Sequence, residues 1–354
     1  MATDAFQPGL LRRLKDPPRK VVLLRASRIG DFICATPAFR ALRSALPQAE
    51  ITMVTLPMLA DLAQRSPHLD RFVPFPGFPG IAEQFFEPRK VTRFFFNMQQ
   101  EDFDLAIQMQ GSGVNSNPFS LLLGAKATAG FIRPEDLPGH LDAALPLPEQ
   151  GHEIERVLAL VEFLGVERQG LQTEFPLWEE DCQQAEILLE GLQPPLIGLH
   201  PAARDLTRRW PAERFAKTAK QIQAERGGTL VCIGDSETRP TAEGVLHAAG
   251  GPARNLAGVT SLGALGAVIK RLSILITNDS GPAHIAYALG TPTVTIFGGD
   301  EPQRYGALMP GPFRMLAHPV PCRPCNYSEC PIGYICLEQI TPDQVVRAAF
   351  EVMR

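Results

Sequence analysis

Residues 272–298 read LSILITNDSGPAHIAYALGTPTVTIFG and contain a complete strand–helix–strand unit. The two ends of this stretch, 272–278 and 291–298, are short apolar runs, which are typical of strands buried on both faces of a parallel sheet. Between them, Gly281 to Leu289 favours a short helix, and Gly290 follows as its stop signal. A strand, a crossover helix and a second strand form the basic unit of an α/β protein.

The same alternation recurs along the chain, and a polar connection near residues 176–194 separates two series of it. Further strands are predicted at 20–25, 51–56, 71–74, 104–108, 127–131, 194–200 and 229–234. Helices are predicted at 32–46, 78–100, 152–164, 211–225, 237–249 and 261–271. The pattern predicts two doubly wound α/β domains. Their ligands are expected beyond the carboxyl ends of the strands and in the cleft between the domains.

The length and composition agree with two globular domains. The chain has 354 residues, of which 45% are hydrophobic and 20% charged, and this excludes a disordered or collagen-like protein. The net charge of −4 gives no support to a nucleic-acid partner. No stretch has the length of a membrane-spanning helix or the pattern of a signal peptide, so we expect a soluble, cytoplasmic protein. An odd number of cysteines, seven, fits a reducing compartment.

The loop after the first strand lacks the common nucleotide-binding signatures. It reads ASRIGD over residues 26–31 rather than G-x-G-x-x-G, and no G-x-x-x-x-G-K-[ST] sequence occurs in the chain. This disfavours a nicotinamide dehydrogenase and a P-loop nucleotidase. In this loop Gly30 allows a tight turn. Asp31 is either a catalytic base at the end of the first strand or the cap of the following helix.

A basic loop in the second half has groups suited to a diphosphate. Residues 200–211, HPAARDLTRRWP, place three arginines and the hydroxyl of Thr207 beside a predicted helix start. Arginine forks and helix amino ends both bind phosphate oxygens. The alternative is an exposed basic loop in which Trp210 packs onto the domain.

Two further strand-to-helix turns have polar groups. In 278–284, NDSGPAH, Asp279 or Ser280 can cap the helix that opens at Gly281, whose N–H groups suit a phosphate. Asp279 can also accept hydrogen bonds from sugar hydroxyls, whereas His284 is either functional or part of the core. After strand 229–234, Glu237 either binds ribose hydroxyls or complements the helix dipole.

Four cysteines lie within fifteen residues near the end of the chain. Their spacing, Cys322-x2-Cys325-x4-Cys330-x5-Cys336, is compatible with a structural zinc site of four thiolates. It differs from paired C-x-x-C knuckles, and iron–sulfur ligation or a surface loop of free thiols are the alternatives.

Together these motifs resemble glycosyltransferase family 9, the heptosyltransferases of lipopolysaccharide core assembly. The matching stretches are 23–47, 197–219 and 261–298. The resemblance implies the glycosyltransferase-B architecture, with two Rossmann-like domains facing a cleft. Residues 1–178 would bind the acceptor, residues 179–340 the nucleotide sugar, and a C-terminal helix in 341–354 would cross back to the first domain.

The resemblance also implies roles for individual residues. Asp31 matches the proposed general base, and Arg208 stands where the family usually has the Lys of a K-R-W-P motif. Arg28 and Gly30 belong to the acceptor-side loop. The donor-binding positions are Thr207, Glu237, Asp279, Ser280, Gly281 and His284. Family members invert the anomeric configuration and need no catalytic divalent metal. The cysteine cluster occurs in many relatives, which favours a structural role.

The sequence therefore predicts an inverting transfer of a sugar, expected to be heptose from ADP-heptose, to a lipopolysaccharide-type acceptor. Residues 1–95 contain 14 Lys and Arg against 8 Asp and Glu, a surplus suited to an anionic glycolipid or to peripheral contact with the cytoplasmic face of the inner membrane. Two alternatives stay open: a sugar-nucleotide 2-epimerase-like enzyme and a non-catalytic protein that binds sugar nucleotides.

Overall fold

A computed structural model describes residues 4–81 and 83–353. Two positions that belong to predicted segments lie outside the described residues: Ala82 of the helix predicted at 78–100, and Arg354 of the C-terminal segment predicted at 341–354. The chain divides into two compact units, Met1–Thr173 and Glu174–Arg354. The boundary predicted from sequence lies a few residues further on, at 178. Within the described residues, no helix combines the length and apolar character needed to cross a bilayer.

The first unit is built on a six-stranded, all-parallel sheet. Its strands are β1 (Lys20–Leu24), β2 (Glu50–Thr55), β3 (Arg71–Pro74), β4 (Leu105–Gln108), β5 (Ala127–Ile132) and β6 (Ala143–Pro146). Its helices are α1 (Leu10–Arg13), α2 (Ile29–Ala45), α3 (Ala60–Gln64), α4 (Pro88–Gln99), α5 (Ser116–Leu122) and α6 (Glu153–Phe163). The strand order β3-β2-β1-β4-β5-β6 reverses direction between β1 and β4. At such a switch point, the loops after the strands diverge and leave a crevice for a ligand.

The second unit repeats this plan. Its strands are β7 (Leu196–His200), β8 (Thr229–Cys232), β9 (Ala253–Asn255), β10 (Ile274–Asn278), β11 (Thr293–Phe297) and β12 (Phe313–Ala317). Its helices are α7 (Glu179–Leu189), α8 (Ala212–Arg226), α9 (Arg239–Ala249), α10 (Leu262–Arg271), α11 (Gly281–Leu289), α12 (Pro302–Tyr305), α13 (Ile335–Glu338) and α14 (Pro342–Val352). The order β12-β11-β10-β7-β8-β9 puts the switch point between β10 and β7. The predicted α/β class with two doubly wound parallel sheets is confirmed.

The structure corrects one predicted helix in the first unit. Residues 78–100 were expected to be helical, but only Pro88–Gln99 form α4. Phe78 instead pairs with Ile81 in an isolated bridge, and Gly77 and Gly80 have positive φ angles that a helix cannot contain. Pro88 occupies the first turn of α4, where its missing N–H and fixed φ are tolerated.

The C-terminal helix α14 starts with a capping box, in which Thr341 and Gln344 satisfy each other's backbone N–H groups. It packs against α8, β11 and β12 of the second unit. That it also crosses back to the first domain stays a prediction.

The core of the first unit includes a cluster of phenylalanine rings centred on Phe119. Its ring lies 5.0–5.6 Å, between centroids, from the rings of Phe75, Phe78, Phe94 and Phe95. Phe119 is fully buried, whereas Phe96 on the neighbouring α4 is 65% exposed. This cluster holds α4 and α5 together.

We expect Phe119→Ala to destabilise the first unit by about 3–5 kcal/mol, because it leaves a cavity among four rings. The matched control Phe96→Ala should change stability by less than about 0.5 kcal/mol. Thermal unfolding followed by circular dichroism tests this, and equal melting temperatures for the two variants would contradict the packing described.

Candidate active site

Asp31 lies at the switch point of the first sheet. It is in the first turn of α2, the helix that follows β1, and its side chain is 31% exposed. The N-cap position of α2 is occupied by Arg28, not by Asp31. The alternative that Asp31 is merely the cap is therefore wrong, and the carboxylate remains accessible from solvent.

A buried cation, Arg25, lies next to Asp31. Its Nε donates to the backbone oxygen of Asp31 at 2.8 Å, and its Nη2 lies 3.8 Å from Asp31 Oδ1 and 3.0 Å from Glu153 Oε1. Its Nη1 donates to the carbonyl oxygen of Met109, just after β4, so this side chain bridges the switch point. Burial alone would lower the pKa of Arg25, but the Glu153 and Asp31 carboxylates outweigh burial and raise it. The permanent charge favours the ionised form of Asp31.

Sequence reasoning missed Arg25 and Glu153. The available signal was a charged residue directly after a fully apolar strand, where burial demands a partner. The two predicted acceptor-side residues are also in this region: Gly30 is the second residue of α2, and the Nε of Arg28 donates to Glu83 Oε2 at 2.9 Å.

At the switch point of the second sheet, two hydroxyl groups contact a ring nitrogen of a buried histidine. The Nδ1 of His200, the last residue of β7, lies 3.2 Å from the hydroxyl oxygens of both Thr277 and Ser280. Ser280 occupies the N-cap position of α11, but its side chain makes no capping bond and donates instead to the Asn278 carbonyl at 3.1 Å. Pro282 has no N–H, and the Ala283 N–H donates to the Ser280 carbonyl at 3.0 Å, so the N–H of Gly281 is the helix donor that this arrangement leaves for an anion.

The amide of Asn278 fastens the basic loop to the end of β10. Asn278 is fully buried; its Oδ1 accepts from the Trp210 backbone N–H at 2.9 Å, and its Nδ2 donates to the Ala202 carbonyl at 3.2 Å. Trp210 is also fully buried and donates its indole N–H to the Ile340 carbonyl at 3.0 Å. Trp210 thus packs onto the domain, as one alternative predicted, and it anchors the loop that contains Arg208.

Arg208 is a cation among carboxylates. Its Nη1 lies 2.6 Å from Asp300 Oδ2, and its Nε lies 3.7 Å from Asp205 Oδ2. Burial would lower the pKa of Arg208, but attraction to Asp300, Asp279 and Asp205 outweighs it and raises the pKa. The side chain is still 36% exposed, so the guanidinium can reach a ligand. Asp300 was missed from sequence, although it follows β11 at the same sheet edge.

Arg208 borders a cavity of about 500 Å³. Its lining contains three arginines, three carboxylates and two tyrosines: Arg204, Arg208, Arg304, Asp205, Asp300, Glu301, Tyr305 and Tyr327. Thr207 is also in the lining, but it is buried and its hydroxyl donates to the Tyr327 carbonyl at 2.7 Å. This side chain therefore holds the wall of the cavity together.

The other predicted donor-binding residues lie near this edge of the sheet. Asp279 is buried between the ends of β10 and β11, and its N–H donates to the Ile296 carbonyl at 3.0 Å. His284 is buried one turn into α11, with its ring edge toward Tyr287 and Tyr305. In the sequence, Asp279 directly precedes Ser280, and His284 follows it four positions later. In space, Asp279 is near enough to Arg208 for its charge to raise the pKa of that guanidinium.

Glu237 is exposed in the turn between β8 and α9. In the same turn, Asp235 accepts hydrogen bonds from the N–H and the hydroxyl of Thr238. Partial burial would raise the pKa of Asp235, but these hydrogen bonds outweigh it and hold the pKa below its usual range. Gly234 has a φ of +150°, and a Cβ there would lie 2.7 Å from the Thr238 side chain. Only glycine fits this turn.

The four clustered cysteines do not form the predicted zinc site in the described structure. Cys322 is exposed, Cys325 and Cys330 are half-buried, and Cys336 is buried. In the described ranges, no group of three or more His, Cys, Asp or Glu side chains is arranged to hold a metal ion. The Cys330 sulfur instead accepts the N–H of Tyr334 at 3.2 Å.

Burial of His200 makes stability depend on pH. Desolvation lowers its pKa to about 4, and attraction to Asp235 only partly opposes this. The unfolded chain, with a pKa of about 6.5, then binds more protons than the native chain below pH 6.5, so stability falls as the pH drops.

We expect wild type to lose about 2–3 kcal/mol more than His200→Gln between pH 7 and pH 4.5. Urea unfolding at the two pH values measures this, with His247→Gln, an exposed site, as the control. Identical pH dependence in wild type and His200→Gln would contradict a buried neutral imidazole.

Comparison with known proteins agrees with this geometry. The chain is 27% identical over 301 residues to lipopolysaccharide heptosyltransferase 2 of Escherichia coli K12, covering 80% of this chain and 84% of that protein. It is 22% identical over 293 residues to the lipopolysaccharide core heptosyltransferase OpsX of Haemophilus influenzae, covering 82% of each. The solved E. coli ADP-heptose lps heptosyltransferase II has the same fold, with a TM-score of 0.76, 23% identity and coverage of 94% of this chain and 98% of that one. The model of glycosyltransferase family 9 (heptosyltransferase) matches residues 91–335, and the chain therefore belongs to this family of glycosyltransferases.

Proposed function

We propose that this enzyme transfers heptose from ADP-heptose to a lipopolysaccharide-type acceptor, with inversion at the anomeric carbon. The observation that carries the proposal is Arg208, a cation held 2.6 Å from Asp300 near the amino end of α11. Such an arrangement suits a diphosphate that gains negative charge as it leaves. The names of the relatives, which are heptosyltransferases, support heptose as the sugar and ADP as the nucleotide.

In the proposed donor complex, the diphosphate lies against Arg208 and against the backbone N–H groups of Ser280, which precedes α11, and Gly281, which begins it. Asp279 accepts hydrogen bonds from sugar hydroxyls, and Glu237 binds the ribose. Thr207 and His284 are already engaged within the fold, so we assign them to the shape of the donor site.

The proposed chemistry begins with Asp31 as general base. It takes the proton from an acceptor hydroxyl, whose oxygen attacks the anomeric carbon of the donor from the face opposite the diphosphate. A new carbon–oxygen bond forms while the bond to the diphosphate breaks, and the electron pair leaves with the ADP. Arg25 donates to the backbone oxygen of Asp31 and thereby fixes the position of the base. Arg208 supplies the charge that stabilises the leaving group, so this route asks for no cofactor.

We assign residues 1–178 to acceptor binding, with Arg28 and Gly30 in the acceptor-side loop, and residues 179–340 to the donor. The C-terminal helix in 341–354 would link the two domains. The basic surplus of residues 1–95 supports work at the cytoplasmic face of the inner membrane on an anionic glycolipid.

Asp31→Asn should lower kcat about 10²- to 10⁴-fold, because the amide keeps the size of the side chain but cannot take a proton. The measurement is ADP release and product mass with ADP-heptose and a lipopolysaccharide acceptor. Asp16→Asn, an exposed residue of the first unit, is the matched control and should leave kcat unchanged. Transfer by Asp31→Asn at the wild-type rate would remove Asp31 as the base. Conversion of ADP-heptose without acceptor would indicate an epimerase and overturn the proposal.

Asp300→Asn should lower kcat/KM for the donor about 10-fold, because Arg208 loses the charged partner that fixes its orientation. Steady-state kinetics and ADP titration by calorimetry measure this. Glu301→Gln, the neighbouring carboxylate of the same cavity, is the control. If Asp300→Asn binds ADP as wild type does and turns over equally fast, Asp300 does not position Arg208.

A further inference from the structure

A short surface of the first unit combines positive charge with exposed phenylalanine rings. Residues 84–100 contain three cations and one acidic residue, Glu87. The surface, called here the Arg–Phe face, consists of Phe85, Phe86, Arg89, Lys90, Arg93 and Phe96, all of which are exposed. It occupies α4 and the segment just before it.

The position of these residues follows from the helical period. One stripe of α4, at Val91, Phe95 and Met98, is buried in the core of the unit. Arg89, Arg93 and Phe96 have the same i, i+4, i+7 spacing but lie on the opposite side of the helix. Charged residues are ordinary on such a solvent face, but a large aromatic ring is not.

The exposure of the rings is high. Phe85 is 79%, Phe96 is 65% and Phe86 is 37% exposed. Burying a phenylalanine side chain is worth about 1.5–3 kcal/mol, so three rings left in water within twelve residues indicate a partner that covers them.

The charge of the Arg–Phe face is not neutralised by nearby carboxylates. Glu101, at the end of α4, lies 2.7 Å from Arg71, and Glu83, before α4, lies 2.9 Å from Arg28. Asp102 lies 3.1 Å from Lys126. In the part of the chain that the structure describes, Arg89, Lys90 and Arg93 form no ion pair. The face therefore presents net positive charge to its surroundings.

We propose that the Arg–Phe face docks on an anionic bilayer surface. Cations attract the acidic headgroups, while the phenylalanine rings enter the boundary between headgroups and acyl chains, as in amphipathic helices that lie on membranes. A nucleic-acid duplex would use the cations, but its bases stack on one another inside the helix and would not cover the rings at positions 85 and 96. The inference rests on the proposed function in one respect: a glycolipid acceptor lies in a bilayer, so docking would bring the enzyme to its substrate.

The test is co-sedimentation of the full chain with vesicles of phosphatidylcholine alone or with added phosphatidylglycerol, without donor or acceptor. We expect binding only to the anionic vesicles, and weaker binding at high salt. Arg89→Ala/Lys90→Ala/Arg93→Ala should lower the partition coefficient about 100-fold, and Phe85→Ser/Phe96→Ser about 10-fold or more.

Matched controls come from exposed residues of the second unit. Lys217→Ala/Lys220→Ala/Lys270→Ala removes the same charge elsewhere, and Ile187→Ser removes an exposed apolar side chain; both should bind as wild type does. Absence of wild-type binding to anionic vesicles, an equal loss in the lysine control, or full binding by the phenylalanine variant would each overturn the proposal. Circular dichroism confirms that the variants are folded.

The vesicle-binding experiment and the heptose-transfer assay can fail independently of each other. If the chain binds anionic vesicles but transfers no heptose, the proposed function fails and the docking surface stands. If it transfers heptose to a delipidated acceptor but ignores vesicles, the docking surface fails and the proposed function stands.

Discussion

One buried amide ties the basic loop that contains Arg208 to the end of β10. Asn278, at the end of β10, holds the Trp210 N–H and the Ala202 carbonyl, which lie on either side of Arg208 in the basic loop. Without that amide two backbone groups would be buried without partners, at a cost of about 1–3 kcal/mol each. The loop would then lose both of its hydrogen bonds to this amide, at the strand end that precedes α11. The position of Arg208 thus depends in part on a neutral and fully buried residue.

The switch points of the two sheets are bridged by side chains of different charge. Both sheets reverse their strand order, and in both a side chain bridges the diverging strands. In the first unit the bridge is the charged Arg25, which needs the carboxylates of Glu153 and Asp31 to offset its burial. In the second it is neutral: His200 and the hydroxyls of Thr277 and Ser280. The first bridge therefore depends on ion pairing, whereas the second depends on hydrogen bonds between neutral groups.

Periodicity and turn residues were sufficient to predict the central strands of both sheets and the helix Gly281–Leu289. The edge strand β3 was also predicted, at 71–74, whereas the edge strands β6, β9 and β12 were not, because a strand with one neighbour needs no continuous apolar run. The partners of the site residues were equally hidden. Arg25 and Glu153 are 128 positions apart, and nothing local to Arg208 indicates Asp300. Sequence motifs thus indicate which loops contain candidate site residues. Which charged side chains pair with each other depends on which strands lie side by side in the folded sheet.

The cysteine-rich loop has a structural role that its spacing did not suggest. The Cys325 N–H donates to the Gly299 carbonyl at 2.8 Å, and the Thr207 N–H and hydroxyl donate to the carbonyls of Ser328 and Tyr327. These bonds place the loop against the turn after β11 and against the basic loop, so it forms a wall of the cavity beside Arg208. Gly299 has to lack a side chain here, since a Cβ would lie 2.9 Å from that of Cys325. The loop is therefore held beside Arg208 by hydrogen bonds to the backbone and by close packing.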